Sequence, residues 1–276
     1  MDEALELQFN PRRSVSDVDS YVNRGKQRSE AARARHRHLP DIRYGAGPLA
    51  TLDYFPCGES DRPLAVYLHG GYWRGRDKGD YSFVADGLLP ARCNVAVMNY
   101  DLCPAVTVAQ IVQQVRDGLV WLDAQASNLG FARGILAVGN SAGAHVIAAT
   151  LARTGRSDEL PEGIIRKAYL ISGIYDLTPV LSITVNQEIR LVPDDVPALS
   201  PIRYRFAEST AYEVLAGTAE PAGWVRQSQD LVSAIVDQGL AVGYHPRHGL
   251  NHYSIVEELA AADGYIARLV GRDAQA

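Results

Sequence analysis

Short apolar runs recur along this chain from about residue 64 onward, each bounded by polar or glycine-containing segments. The runs lie at 64–68, 95–98, 135–138, 168–171, 212–215 and 240–244. Such nearly continuous runs are typical of strands that are buried on both faces of a parallel sheet. Ahead of them, residues 42–44 and 52–55 flank the turn-like segment 45–48 and predict a strand pair joined across a turn.

Segments with a helical period separate these runs. Apolar residues recur at helical spacing in 108–122 and 224–236, and a closing helix is predicted over 254–270. This alternation implies right-handed βαβ units and one α/β domain over residues 1–276, with a mostly parallel central sheet flanked by helices.

Two segments fall outside the alternation. Residues 1–40 predict an N-terminal helical segment, whose basic stretch 24–38 is expected to be a solvated helix face, with a basic tail as the alternative. Residues 178–206 contain four prolines and predict a small helical excursion. Because it follows the strand ending near Ser172, we expect it to overhang the carboxyl edge of the sheet and shape a pocket there; a plain surface loop is the alternative.

Composition excludes some classes of protein. The 276 residues are 47% hydrophobic and carry a net charge of −5, which argues against nucleic acid as the main partner. Cys57, Cys93 and Cys103 lack metal-ligand spacing, so we expect reduced cysteines and neither a metal nor a cofactor. The acidic N-terminus and the absence of a membrane-length apolar run lead us to expect a cytoplasmic protein without a membrane partner. A homodimer is compatible with the sequence.

The segment from Gly139 to Gly143 predicts a serine nucleophile. It follows the run 135–138 and precedes a helix-like stretch, and its sequence is Gly-Asn-Ser-Ala-Gly. In a sharp strand-to-helix turn, the residues two before and two after the serine must be small. Such a turn places the Ser141 hydroxyl at the sheet edge. An ordinary glycine-flanked turn is the alternative, so the rest of a hydrolytic site has to be found.

A base for Ser141 is expected after the last predicted strand. His252 lies in a loop just before the closing helix and is preferred to His248, which remains a competitor, while His245 lies within the strand itself. The acid that orients the base is expected in the loop after 212–217, where Glu220 is the available carboxylate. Asp176 is the rival acid, although its position predicts a capping role.

An oxyanion hole is predicted where His69-Gly70-Gly71-Tyr72-Trp73 follows a buried strand. We expect the N–H groups of Gly71 and Tyr72, with that of Ala142, to face the oxygen of a tetrahedral intermediate.

Together these motifs resemble the kynurenine formamidase (arylformamidase) branch of the α/β-hydrolases. The resemblance rests on the motifs at 69–73, 139–145, 172–177, 226–228 and 252–257, and it extends from about Tyr67 to the end of the closing helix. It implies an α/β-hydrolase fold, a triad of Ser141, an acid at Glu220 and His252, and hydrolysis of an N-formyl aryl amide.

Three positions depart from the usual pattern of that family. It usually has His at Asn140, Asp at Glu220 and Phe at Tyr253; because Asn140 and Tyr253 are expected close to the site, they are candidate substrate-binding residues. Trp73, with Tyr72, is a candidate to stack on an aromatic substrate, and core packing is the alternative.

The function predicted from the sequence is therefore hydrolysis of a small amide or ester through an acyl-enzyme, with an aryl formamide as the favoured substrate. A short-acyl carboxylesterase is the nearest alternative. A ligand-binding protein without catalysis, built on the same fold, is the alternative from a different class.

Overall fold

A central sheet of eight strands organises residues 2–275, the part of the chain that the computed structural model describes. In chain order the strands are β1 (Leu39–Arg43), β2 (Thr51–Phe55), β3 (Leu64–Leu68), β4 (Asn94–Met98), β5 (Ile135–Asn140), β6 (Ala152–Arg153), β7 (Ile165–Ile171), β8 (Arg205–Phe206), β9 (Ala211–Gly217) and β10 (Val242–Arg247). The sheet order is β1-β2-β4-β3-β5-β7-β9-β10, and β6 pairs separately with β8. Only the β1–β2 and β2–β4 pairs of this sheet are antiparallel, so the predicted mostly parallel sheet is confirmed.

Helices flank the sheet and cover its carboxyl edge. They are α1 (Glu3–Phe9), α2 (Pro11–Ser14), α3 (Val18–Arg35), α4 (Val84–Leu88), α5 (Val108–Ala124), α6 (Ala126–Leu129), α7 (Ala142–Leu151), α8 (Asn186–Ile189), α9 (Asp195–Leu199), α10 (Ala222–Val236) and α11 (Tyr265–Ala274). Helix α5 begins with a capping box, in which the Thr107 side chain accepts from the Gln110 N–H and Gln110 reaches back to the Thr107 N–H.

Burial on both faces explains why the central strands are apolar at every position. All five residues of β3 are buried; Val66 and Leu68 join the core on one face of the sheet, while Ala65 and Tyr67 join the core on the other. Because successive side chains of a strand point to opposite faces, a strand covered on both sides shows no polar alternation.

Two boundaries differ from the prediction. The last strand begins at Val242 rather than at residue 240, and the closing segment is a 3₁₀ helix, Ser254–Leu259, followed by the separate helix α11. The break lies at Gly264, where a Cβ would lie 2.1 Å from the carbonyl oxygen of Glu258. The apolar period continues across this break, which is why the sequence pattern predicted one helix.

The N-terminal helical segment and the excursion at 178–206 pack together at the carboxyl edge of the sheet. In the excursion the structure has a 3₁₀ helix, Thr178–Ser182, then α8, α9 and β8. Helix α1 is joined to it where the Thr184 N–H donates to the Glu6 carboxylate (2.8 Å).

In the basic stretch 24–38, Lys26, Arg28, Arg35 and Arg37 are exposed, as expected for a solvated helix face, and arginines of the stretch also contact the body of the protein. Arg24 donates to Glu257 at 2.5 Å, Arg33 donates to the Ser82 hydroxyl at 2.9 Å, and Arg35 pairs with Asp86. These contacts hold α3 against the segments that follow β3 and β10.

Candidate active site

Ser141 lies in a strained turn between β5 and α7. Its backbone has φ 56° and ψ −117°, a conformation that costs about 1–3 kcal/mol for a residue other than glycine and is kept mainly at functional sites. A Cβ on Gly139 would lie 2.6 Å from the Gly143 carbonyl carbon, and one on Gly143 would lie 2.1 Å from the Leu68 oxygen. The two glycines are therefore required sterically, as the sequence pattern predicts.

Ser141, His252 and Glu220 form one hydrogen-bonded chain. The Ser141 hydroxyl lies 3.0 Å from Nε2 of His252, and Nδ1 of His252 lies 2.8 Å from Oε2 of Glu220. All three residues are at most 6% exposed. With its Nδ1–H held by the carboxylate, the imidazole presents its Nε2 lone pair to the serine hydroxyl, which is the arrangement needed to accept the proton when serine attacks.

The second carboxylate oxygen of Glu220 is fixed by two donors. The Gly217 N–H and the Ser172 hydroxyl each donate to Oε1 at 2.6 Å. Ser172 is fully buried and has a positive φ of 48°. Its carbonyl accepts from the indole N–H of Trp224 at 2.7 Å, and the Trp224 ring packs edge-on against His252. Ser172 thus holds Glu220 in place, and Trp224 contacts both Ser172 and His252.

The rival residues lie elsewhere. His248 is exposed, and His245 contacts Glu213 at 2.7 Å through Nε2 and the Tyr265 hydroxyl at 2.7 Å through Nδ1. Asp176 accepts from the Thr178 N–H at 2.9 Å, which is the capping role predicted for it.

The motif at 226–228 has a structural role in this arrangement. The Gln227 side chain accepts from the N–H groups of Tyr175 and Asp176, both at 2.8 Å, and donates to the Asp176 carbonyl at 3.1 Å. Gln227 therefore fixes the loop that follows Ser172.

The loop after β3 exposes a row of backbone donors beside Ser141. Gly71, Tyr72 and Trp73 have φ values of 110°, 51° and 55°. Successive residues of this kind form a concave nest of N–H groups that favours a negative charge. Within residues 2–275, the N–H groups of Gly71, Tyr72 and Ala142 have no hydrogen-bond acceptor.

Buried contacts hold this strained loop. The ring of His69 lies between those of Tyr81 and Tyr100, with Nε2 2.9 Å from the Asn99 side-chain oxygen and Nδ1 2.7 Å from the Gly70 carbonyl. Burial lowers the pKa of His69. The Tyr72 hydroxyl donates to the Phe9 carbonyl, which connects the loop to α1.

A cavity of about 330 Å³ opens over Ser141 and His252. Its wall is rich in aromatic side chains, and the N-terminal segment forms part of it. The aromatic lining residues are Tyr21, Tyr72, Tyr81, Phe83 and Tyr253. Asn10, Pro11 and Arg12, with Tyr21 and Val22, bring the N-terminal segment to the cavity, whereas the excursion contributes Val185.

Two of the three predicted substrate-binding residues line this cavity. Asn140 and Tyr253 are at its wall, and Tyr253 stacks on Tyr21 with ring centroids 6.0 Å apart. Trp73 does not reach the cavity: it is fully buried and packs edge-on against His145. Stacking of Trp73 on a substrate is therefore wrong, and core packing, the alternative, is correct, because the loop turns the indole away from Ser141.

Sequence reasoning missed Ser172, Trp224 and the cavity wall formed by Tyr21. No local pattern distinguishes these residues, although Ser172 begins the motif at 172–177, one of those that carry the resemblance. The strain at Ser172 and the contact of Trp224 with His252 appear only once the strands are paired.

Metal-binding clusters and membrane-spanning helices are absent from residues 2–275. These residues contain no cluster of three or more His, Cys, Asp or Glu side chains placed to hold a metal ion. No helix in these residues is both long and apolar enough to cross a membrane. The three cysteines are unpaired, and burial raises the pKa of the Cys93 thiol to about 12 and that of Cys103 to about 11.

The comparisons with known sequences agree on the family to which this chain belongs. The family described as "alpha/beta hydrolase fold" matches residues 65–231. Kynurenine formamidase of Salmo salar is 33% identical over 97% of this chain and 95% of its own, and that of Danio rerio is 31% identical over 97% and 94%. Kynurenine formamidase of Drosophila melanogaster is 26% identical over 96% and 91%.

Solved structures give the same fold. A candidate thioesterase from a Silicibacter species superposes with a TM-score of 0.86 at 26% identity, covering 96% of this chain and 98% of that one. An esterase of Pyrobaculum calidifontis superposes with a TM-score of 0.74 over 99% and 96%, and at 18% identity it supports the fold alone.

Proposed function

Because this chain belongs to the kynurenine formamidase branch of the α/β-hydrolase family, we propose that it hydrolyses an aryl formamide through an acyl-enzyme on Ser141. The observation that carries the proposal is the chain of contacts from Ser141 Oγ to His252 (3.0 Å) and from His252 to Glu220 (2.8 Å) at the floor of an aromatic cavity.

In the proposed reaction, His252 accepts the proton of Ser141 as the hydroxyl attacks the formyl carbon. The N–H groups of Gly71, Tyr72 and Ala142 stabilise the tetrahedral oxyanion, a contribution of about 10²–10³ in rate for each donor. The imidazolium, stabilised by Glu220, then protonates the leaving aryl amine. Water attacks the formyl-enzyme with His252 as base and releases formate.

The lining of the site supports an aromatic leaving group. A Cβ on Gly70 would lie 2.9 Å from the Cβ of Ser141 and 3.1 Å from the Asn140 side-chain oxygen, so the loop after β3 packs directly against the nucleophile turn. The tyrosines of the cavity wall provide the flat, partly polar surface that an aryl amine requires.

A panel of substrates tests this function. We expect N-formylkynurenine and formanilides to be hydrolysed with higher kcat/KM than the corresponding acetanilides, because the chain belongs to the kynurenine formamidase branch. Short p-nitrophenyl esters should also react, since their leaving group needs no protonation. Hydrolysis confined to esters would favour the second candidate function, a short-acyl carboxylesterase, which would use the same triad.

Paired variants test the roles in the triad. Glu220→Gln should lower kcat by about 10⁴ with the fold retained, because the amide no longer orients His252 or stabilises its charge. Asp176→Asn serves as the matched control and should leave kcat near the wild-type value. His252→Ala and His248→Ala form a second pair, in which only the first should abolish acylation. The reverse result in either pair would contradict the assignment.

The setting in which the protein works is part of the same proposal. A net charge of −5 and three unpaired thiols support an enzyme of the reducing cytoplasm that acts on small molecules rather than on nucleic acid.

A further inference from the structure

Arg76 differs from the other arginines in the wall of the cavity. The others each lie near a carboxylate: Arg12 near Asp19 (2.9 Å), Arg28 near Glu257 (3.4 Å) and Arg74 near Glu188 (2.5 Å). Arg76 is half-buried and has no ion-pair or hydrogen-bond partner for its guanidinium within residues 2–275. A partly desolvated guanidinium without a partner is unfavourable unless a ligand or water satisfies its donors.

Arg76 lies beside the reacting groups. A Cβ placed on Gly71, one of the proposed oxyanion donors, would lie 2.9 Å from Cγ of Arg76. Burial raises the pKa of Tyr81 to about 12 and also raises the pKa of Tyr253, and both residues line the cavity. The positive charge of Arg76 lowers both pKa values and so opposes these shifts. Both phenols are therefore neutral at physiological pH, so neither compensates the positive charge of Arg76.

One carboxylate of the cavity wall is also unpaired. Asp80 has no ion-pair partner within residues 2–275, and its backbone lies on the side of α3, where a Cβ on Gly25 would lie 3.5 Å from the Asp80 carbonyl oxygen. Within residues 2–275 no ion pair joins Asp80 to Arg76, although both line the cavity and the charges of both act on Tyr81. The cavity wall thus carries one free positive group, Arg76, and one free negative group, Asp80.

We propose that Arg76 binds a carboxylate on the aromatic part of the substrate, so that the enzyme selects anionic aryl substrates over neutral ones of the same shape. The planar guanidinium provides two parallel donors, which match the two oxygens of a carboxylate. The identity of the scissile bond as a formamide rests on the proposed function, whereas the charge preference does not.

Two pairs of synthetic substrates test the charge preference separately from the scissile bond. The first pair is meta-formamidobenzoate and meta-formamidobenzamide, and the second is meta-acetoxybenzoate and meta-acetoxybenzamide. In each pair a carboxylate is replaced by a carboxamide of nearly the same shape. The measured quantity is the ratio of kcat/KM for the anionic member to that for the neutral member, so that differences in enzyme stability or expression cancel.

We expect wild-type enzyme to favour the anionic member. Arg76→Gln should reduce the ratio about 10- to 100-fold, the range expected for one hydrogen-bonded charge pair, and Arg76→Lys should keep part of it. Asp80→Asn should change the ratio in the opposite direction. Arg133→Gln, which removes a 72% exposed arginine outside the cavity, is the control and should leave the ratio as in wild type.

Two results would overturn the assignment of Arg76: a wild-type ratio of one or less in every pair that reacts, or an unchanged ratio in Arg76→Gln, with equal losses on both members of a pair. The last would mean that Arg76 only shapes the loop. Hydrolysis of the acetoxy pair alone, with the charge preference present, would reject the formamidase function and retain the role of Arg76.

Discussion

Ser172 holds the acid of the site although it does not contact the nucleophile. Its hydroxyl and the Gly217 N–H both donate to Oε1 of Glu220, which leaves Oε2 for His252. Ser172 also keeps a positive φ that most residues avoid. We infer that the strain is tolerated because the position aligns the carboxylate with the imidazole.

Ser172→Ala should therefore lower kcat about 10-fold and leave KM within about 2-fold of wild type, since one charge-assisted hydrogen bond contributes about 1.5–3 kcal/mol. The matched control is Ser228→Ala, because Ser228 is also fully buried but its hydroxyl has no partner within the described residues. Steady-state kinetics and thermal unfolding of both variants provide the comparison. Equal kcat in the two variants would show that Ser172 does not position Glu220.

His145 gives a pH dependence of stability. It is fully buried on α7, its Nε2 lies 2.8 Å from the Leu199 carbonyl, and burial lowers its pKa from 6.5 to about 4. The unfolded chain therefore binds a proton between pH 6.5 and 4 that the folded protein does not bind. Its contribution to stability is complete above pH 6.5 and decreases as the pH falls toward 4.

His145→Gln should remove this component, because glutamine can donate to the Leu199 carbonyl but does not titrate. Across that pH range, the free energy of unfolding should fall less steeply in the variant, by up to about 1.4 kcal/mol per pH unit. Urea unfolding between pH 4.5 and 7 measures both slopes. His69, whose pKa is also lowered by burial, contributes equally to both proteins and cancels in the difference. Parallel curves would contradict the prediction.

At the scale of elements, the N-terminal helices serve as a wall of the active site. Tyr21 of α3 lines the cavity, stacks on Tyr253 and lies 3.2 Å from the Asn251 side-chain nitrogen through its hydroxyl. The sequence predicted helix in this segment but placed the cover of the site in the excursion at 178–206. Helical period shows that an element exists, whereas the cavity it closes depends on contacts between residues far apart in the chain.

Removing this wall should weaken substrate binding more than the chemical step. We expect Tyr21→Ala to raise KM for an aryl formamide about 10-fold, because the variant loses an aromatic contact surface and part of the support for Tyr253. Leu7→Ala is the control on the same segment, since Leu7 is 48% exposed and lies outside the cavity wall. Kinetics with an aryl formamide and with p-nitrophenyl acetate provide the measurement. An unchanged KM in Tyr21→Ala would show that α3 does not contact the substrate.

The strands and the nucleophile turn could be predicted because their causes are local. A run such as 135–138 must be apolar where both faces of the sheet are covered, and Gly139 and Gly143 must lack side chains where backbone approaches backbone. The closing helix was predicted incorrectly because its apolar period continues past the break at Gly264. Trp73 was assigned incorrectly because the left-handed turn of its loop leaves no local pattern in the sequence.

At the scale of the whole molecule, the parallel sheet brings the site together. Ser141 follows β5, Glu220 follows β9, His252 follows β10, and the loop that begins at His69 follows β3. The carboxyl ends of parallel strands lie at one edge of a sheet, so residues distant in sequence meet there in the order nucleophile, acid, base. This rule is why the triad could be predicted as a set. Two cores on opposite faces of one sheet support the prediction of a single domain.

The central claim is that Ser141 is a nucleophile activated by His252, and covalent labelling tests it most directly. The folded protein is treated with an excess of a fluorophosphonate, and intact mass and peptide mapping locate the adduct. We predict one adduct per chain, on Ser141, with labelling slowed by orders of magnitude in His252→Ala and absent in Ser141→Ala. No adduct, or an adduct on another residue, in protein with a native circular dichroism spectrum would contradict the account.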